Sequence, residues 1–400
     1  MPDCIFCSSA LDRSTKPEHV LLNALGGRKT TTQVICSDCN NRFGNGIDKA
    51  MAAQVEVIRN MLQMKSGTGS AAPMLKKVQA GSEVLNIHGD GTLVPVVKPF
   101  SIAERPDGSF NIEINARSLE EIDRLIPNIA ASLRMPESDV RSQLSAAKAR
   151  IVERRAGIVR FPLSFGGPDA IRSAAKACMI LWALKTGNGE LRRQPYEATR
   201  AFVTIGSDEF LKSCTALDSR LPGDVEQMKD AYGPLFNLIY VRSNEAGRVV
   251  GHFTFCNTLG FQIVLAESGG VPSERIGLVS NPLSPSDWSD EAAALFDVPF
   301  EWLDHPEYDE TFETQRERIS EVMRTYVDRS RPKELHRIVN AVTKKYGLGE
   351  DDPVPEGLQN KVFSEISARV AAHALSLPFV EAVTEDQLRA ALGSHLSGQE

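Results

Sequence analysis

Two Cys-x2-Cys pairs, Cys4/Cys7 and Cys36/Cys39, with 28 residues between them, constrain the fold of this chain more than any other feature. Each pair lets two thiolates grip one ion, and two pairs complete the tetrahedral four-sulfur shell that zinc prefers. Such a shell has no open coordination position, so the expected ion is structural. The remaining cysteines, Cys178, Cys214 and Cys256, are scattered. The chain starts Met1-Pro2-Asp3-Cys4, without a basic segment followed by an apolar one. An odd, clustered cysteine set in that setting reads as metal chemistry rather than a disulfide frame. A redox reading of the pairs lacks a surrounding βαβ pattern.

The stretch between and just after the pairs carries further chemistry. Glu18-His19 precedes Val20-Leu21-Leu22 and a Gly26-Gly27 turn, and Asn40 follows Cys39 directly. Phosphodiester hydrolysis assisted by a hard cation such as Mg²⁺ needs oxygen ligands that leave a hydrated position. It also needs a base, and a neutral histidine suits that at pH 7. Glu18 and Asn40 can supply the ligands, and His19, on the other face of the same strand, can supply the base. Asn41 and Asp48 are near enough in sequence to compete as ligands, with Asp48 expected to be solvated. Asn40 also suits a helix N-cap. Arg28, Lys29 and Arg42 flank the site and can hold phosphates.

Cys4-x2-Cys7, Glu18-His19 and Cys36-x2-Cys39-Asn40, with Ala24-Leu25-Gly26-Gly27 and Asn41-Arg42-Phe43-Gly44, resemble the zinc-bearing HNH, or ββα-metal, endonucleases over about 60 residues. The resemblance implies that Glu18 and Asn40 bind a catalytic Mg²⁺ or Mn²⁺ and that His19 activates water. The family's middle Asn falls here on Thr31, nine residues before Asn40, where it would brace the hairpin loop. Asn23 and Gln33 are alternative braces.

The rest of the chain is less informative. Its 400 residues suggest two or three domains, and 42% hydrophobic with 24% charged residues is globular. No apolar run is long enough to span a bilayer, which predicts a soluble, cytoplasmic protein without membrane contact. The formal net charge of −7 is uneven: residues 1–65 carry 8 basic and 6 acidic groups, whereas 281–400 carry 12 against 23. Nucleic-acid contact is therefore expected toward the N-terminus.

Residues 65–73 read as a linker. Asp90-Gly91 and Asp107-Gly108 each predict a hairpin. Helices are predicted from the Ser118 capping box to 133, over 136–156 and over 169–185, and a three-stranded meander over 238–265. From 290 onward the pattern is helical, with breaks at Arg331-Pro332 and 349–355 and a last helix capped at Thr384. Arg141, Lys148 and Arg155 recur every seven residues on the 136–156 helix, a stripe suited to a DNA backbone or to a solvated face. His252 and Cys256 read as packing residues, and Trp182 as helix core.

The expected architecture is α+β: a zinc-bound ββα-metal module (1–64), a mixed α+β domain (75–280) and an acidic, mostly helical C-terminal region (285–400). The expected function is metal-dependent cleavage of duplex or branched DNA in bacterial defence against foreign or modified DNA, with a homodimer as the expected assembly where both strands are cut. A non-catalytic zinc-ribbon adaptor and a nuclease gated by a small-molecule ligand are the alternatives.

Overall fold

The computed structural model describes residues 2–115, 119–146, 149–153, 157, 159–161, 165–309 and 312–383. In chain order the N-terminal part holds β1 (Glu18–His19), β2 (Thr30–Thr31), α1 (Ser37–Asn45), α2 (Ile47–Gln54) and α3 (Glu56–Met61). Then come β3 (Leu75–Ala80), β4 (Glu83–Ile87), β5 (Leu93–Pro95), β6 (Phe100–Glu104), β7 (Phe110–Ile114), α4 (Leu119–Leu133), α5 (Glu137–Ser145) and β8 (Ala149–Glu153). The central part holds α6 (Pro168–Thr186), α7 (Asn188–Leu191), α8 (Glu197–Ile205), α9 (Asp208–Ser213), β9 (Thr215–Asp218) and α10 (Val225–Tyr232). Strands β10 (Asn237–Ser243), β11 (Val249–Phe255), β12 (Leu259–Ala266), β13 (Arg275–Ser280) and β14 (Trp288–Ser289) follow. The chain closes with α11 (Ala292–Leu295), α12 (Phe300–Asp304), α13 (Phe312–Lys345), α14 (Glu356–Ala374) and β15 (Phe379–Val383).

The mixed α and β character is as expected, and so is the helical C-terminal region. The compact units interleave along the sequence. One comprises Met1–Lys76, Ile87–Thr92 and Phe161–Ser330; the other comprises Lys77–Asn86, Leu93–Arg160 and Arg331–Glu400.

The first unit is built on a six-stranded sheet of order β14-β13-β10-β11-β12-β9, antiparallel at every pairing. The 238–265 meander is its centre. Strand side chains alternate between faces. Ile239 and Val241 face a core shared with α6, whereas Leu238 and Tyr240 face a second core with Met228, Phe236, Phe296 and Val298. Helix α6 is covered on nearly all sides, which its small residues Ala174, Ala175 and Ala177 permit. Its approach to β11 requires Gly251, where a Cβ would lie 2.9 Å from Cys178 Sγ. Gly187, at φ +90°, ends the helix as expected. The N-terminal residues join this same core: Ile5, Val20, Leu25, Ile35, Phe43 and Met51 cluster with α6. Trp182 is fully buried and its indole N–H donates to Tyr196 Oη at 3.0 Å. His252 is buried opposite Gln262, edge-on to the Trp302 ring, in keeping with a packing role.

In the second unit, α4 and α5 pack Ile126, Ile129 and Val140 against the β6–β7 hairpin, and β8 pairs with β15. Both predicted Asp-Gly hairpins form, with Gly91 and Gly108 at positive φ.

Four expectations are corrected. The helix predicted over 136–156 stops at Ser145, and 149–153 is strand, because β-branched Ile151 and Val152 find a partner strand in 379–383. The basic stripe therefore does not exist as one helix face. Arg141 pairs with Asp123, and Lys148, Arg154 and Arg155 lie outside the described residues. Pro332 does not break its helix, since α13 continues through it and forfeits only the bond that a proline cannot donate. The 65–73 stretch is not a loose linker. Ser66 is buried, its hydroxyl accepts from Ser70 N at 3.0 Å, and Gly67 N donates to Asn23 O at 2.9 Å. The Ser118 cap and the Thr384 helix fall outside the described residues.

Candidate metal and catalytic site

Four sulfurs, Cys4, Cys7, Cys36 and Cys39 Sγ, lie within 4.8 Å of one another, with Cys7 and Cys36 at 3.4 Å. Tetrahedral zinc with bonds of about 2.3 Å would place sulfurs roughly 3.8 Å apart, so the shell fits that ion. The pKa of Cys4 is lowered, first by its hydrogen bond with Cys39, while Cys39 is raised by the same bond and Cys36 is raised chiefly by burial. One negative charge is accommodated easily and further ones are not, which is what a cation would relieve. Cys36 also caps α1, its sulfur accepting from Cys39 N.

The cysteine shell fixes the start of α1, and α1 in turn meets the strand before it. Lys16 N donates to Ser37 Oγ at 2.9 Å, and Asn40 Nδ2 donates to Pro17 O at 3.1 Å. Asn40 thus lies in the first turn and is not the N-cap. With its nitrogen committed to Pro17, the residue that precedes Glu18, Asn40 Oδ1 accepts no side-chain hydrogen bond among the described residues.

Strand β1 pairs antiparallel with β2, Glu18 opposite Thr31 and His19 opposite Thr30. Val20 N extends the ladder to Lys29 O. The intervening loop turns through Gly26 at φ +87°, and a Cβ on Gly27 would sit 1.8 Å from Leu21 O. Only glycine fits there. Asn23 braces this loop from outside, its Oδ1 accepting from Thr68 N at 3.0 Å. Thr31 is buried, and its hydroxyl accepts from Gln33 N at 3.1 Å, ahead of the second knuckle. The loop is therefore held by Asn23, while Thr31 shapes the turn into Cys36.

Alternation along β1 puts Glu18 inside and leaves His19 half-buried. Glu18 is not alone. Lys176 Nζ lies 2.5 Å from Glu18 Oε1 and 2.5 Å from Asp48 Oδ2. Ser173 Oγ donates to Asp48 Oδ1 at 2.6 Å. Asp48, expected in solvent, is 5% exposed, because α2 packs directly on α6. Glu18 is raised above the usual carboxylate range, first by burial and then by Asp48 nearby, against the pull of Lys176. For Lys176 burial acts downward, but Asp48 and Glu18 outweigh it and raise it, so it stays an ammonium. His19 is lowered by burial and by Lys176, so its ring is neutral at pH 7.

The three basic candidates have internal partners. Lys29 pairs with Asp290 at 2.6 Å. Arg28 donates to Gly67 O, and Arg42 lies over the Phe43 ring, 3.8 Å from Cys39 Sγ. Arg28 and Arg42 are nonetheless exposed.

Lys176 and Ser173 escaped the sequence reading, and Asp48, weighed there as a solvated rival ligand, is buried against them. The available signal was a lysine inside the otherwise apolar run Ala174-Ala175-Lys176-Ala177-Cys178-Met179-Ile180-Leu181, where an unpaired charge would be costly. No curated protein and no solved structure matches the chain. Residues 4–56, which contain the four cysteines, Glu18, His19, Asn40 and Asp48, match the HNH endonuclease family model.

Proposed function

We propose that the protein is a metal-dependent endonuclease hydrolysing phosphodiester bonds in DNA, with Glu18, His19 and Asn40 as its working residues. The carrying observation is a half-buried histidine next to a buried carboxylate on one short strand, whose preceding residue Pro17 accepts a hydrogen bond from Asn40, directly after the zinc-type cysteine shell. The donor set fits a hard cation: Glu18 Oε2 accepts no hydrogen bond among the described residues, and Asn40 Oδ1 is left by the orientation of its amide. These two oxygens would hold Mg²⁺ or Mn²⁺, which when bound supplies positive charge to the developing phosphorane and the leaving oxygen. His19 takes the proton of the attacking water on a ring nitrogen, a role that its lowered proton affinity suits at neutral pH. Arg28 and Arg42, both exposed, orient the phosphates. The cysteine shell takes no chemical part and keeps α1 in place.

Duplex or branched DNA is the proposed substrate, and cutting both strands would call for two copies of the chain. A setting in bacterial defence against foreign or modified DNA rests on analogy of architecture alone. Among the described residues no helix is long and apolar enough to cross a membrane.

Plasmid nicking with Mg²⁺ or Mn²⁺ tests the reading. Wild type should relax supercoiled DNA, and His19→Ala should lose about 10² to 10⁴ in rate. Equal rates for the two proteins would end it.

A further inference from the structure

The Glu18 cluster has a hydrogen-bonding economy that points one way. Ser173 and Lys176 lie three residues apart on α6 and so share a face of that helix. Ser173 occupies Asp48 Oδ1, and Lys176 occupies Asp48 Oδ2 and Glu18 Oε1. The ammonium sits 5.9 Å from the centre of the Phe43 ring, whose face favours a cation. Both Asp48 oxygens are therefore engaged by α6, which makes Asp48 the counter-ion that fixes Lys176. Glu18 keeps one oxygen without a hydrogen bond among the described residues, Oε2.

We propose that Lys176 is a positioning residue for Glu18: the chain Ser173–Asp48–Lys176 clamps Oε1 so that Oε2 alone is presented to the divalent cation. This rests on the nuclease reading above and deepens it. Helix α6 lies outside the 4–56 segment that matches the HNH family. The metal-binding geometry of the domain is thus completed by a helix from the sheet-bearing part of the same compact unit. Two neighbouring buried carboxylates would otherwise repel and rotate apart, and hydrogen-bonded partners of ligating carboxylates set metal affinity for this reason.

The test uses the full chain, zinc-saturated, with Mn²⁺ binding followed by loss of the free-ion electron paramagnetic resonance signal. Glu18→Gln should abolish binding, which identifies the site. Lys176→Met should weaken Mn²⁺ binding about 10- to 100-fold while the zinc content is unchanged, and Lys176→Arg should recover most of it. Ser173→Ala, which removes one hydroxyl and spares the fold, should weaken it by a smaller factor and decides the matter if Lys176→Met does not fold. A merely space-filling role would leave the Mn²⁺ affinity of the folded variants at the wild-type value, and a merely charge-neutralising one would raise it on Lys176→Met because an ammonium beside the site repels the cation; either result overturns the inference while nicking by wild type still stands. If wild type neither binds Mn²⁺ at Glu18 nor nicks DNA, the nuclease reading fails and the inference falls with it.

Discussion

The cysteine shell and the Glu18–Lys176–Asp48 cluster are both groups of ionisable side chains gathered around a charge, yet they are assembled in opposite ways. The shell draws its four ligands from the first 39 residues, in two pairs each joined by its own short spacing and brought together by the Ile5 N to Val34 O bond at 3.1 Å. The cluster draws on residues 18, 48 and 176, from a strand and two helices, and exists only because α2 and α6 pack face to face. The shell is suited to an external cation, whereas the cluster contains its own. A metal shell formed by short spacing can be rigid before the surrounding core forms. An ionic cluster of distant residues is as stable as the packing that buries it.

The largest effect should come from the shell. Chelating the zinc, or Cys36→Ser, should lower the melting temperature by on the order of 10 °C or more, with loss of one zinc per chain by metal analysis. The N-terminal residues share the α6 core, so the loss should spread beyond residues 1–64. Hydrogen exchange on α6 would show it. A zinc-free protein with an unchanged melt would erase the distinction between the two regions.

Next, Lys176→Met leaves two buried carboxylates without an ammonium and should cost about 3–5 kcal/mol in denaturant unfolding. Adding Glu18→Gln and Asp48→Asn to it should return much of that stability, since the cost lies in the uncompensated charge. A single-variant cost under about 1 kcal/mol would mean that water reaches the cluster and that it is not a buried unit.

The smallest effect concerns a buried group that takes neither route. His252 is lowered to about 4, by burial first and against the pull of Asp218, so it is neutral when folded. With a folded value below the ordinary 6.5, its contribution is complete above pH 6.5 and is lost as pH falls from 6.5 toward 4. The ceiling is roughly 3 kcal/mol. His252→Gln should flatten that part of the stability–pH curve, and an unchanged slope would place the acid sensitivity elsewhere.

Local patterns carried much of this molecule. The knuckles, the Glu18–His19 strand, the Gly26-Gly27 turn, both Asp-Gly hairpins and the central meander depend on spacing, positive-φ glycine or period-two alternation, and all are local properties. The readings that failed did so where a partner distant in sequence decides. Residues 149–153 are strand because of residues 379–383, and the polar 65–73 stretch is fixed because it satisfies the backbone of the Asn23 loop. Asp48 has an ordinary surface pattern and is buried only because α6 covers it.

The sequence by itself therefore determined the zinc-type shell and the segment that matches the HNH family model, because those rest on side-chain type at short spacing. Only the tertiary structure decided what holds Glu18 Oε1, and that residues 1–76, 87–92 and 161–330 form one compact unit. The physical reason is burial: a charge removed from water must find its counter-charge wherever packing brings one, and sequence distance has no part in that choice.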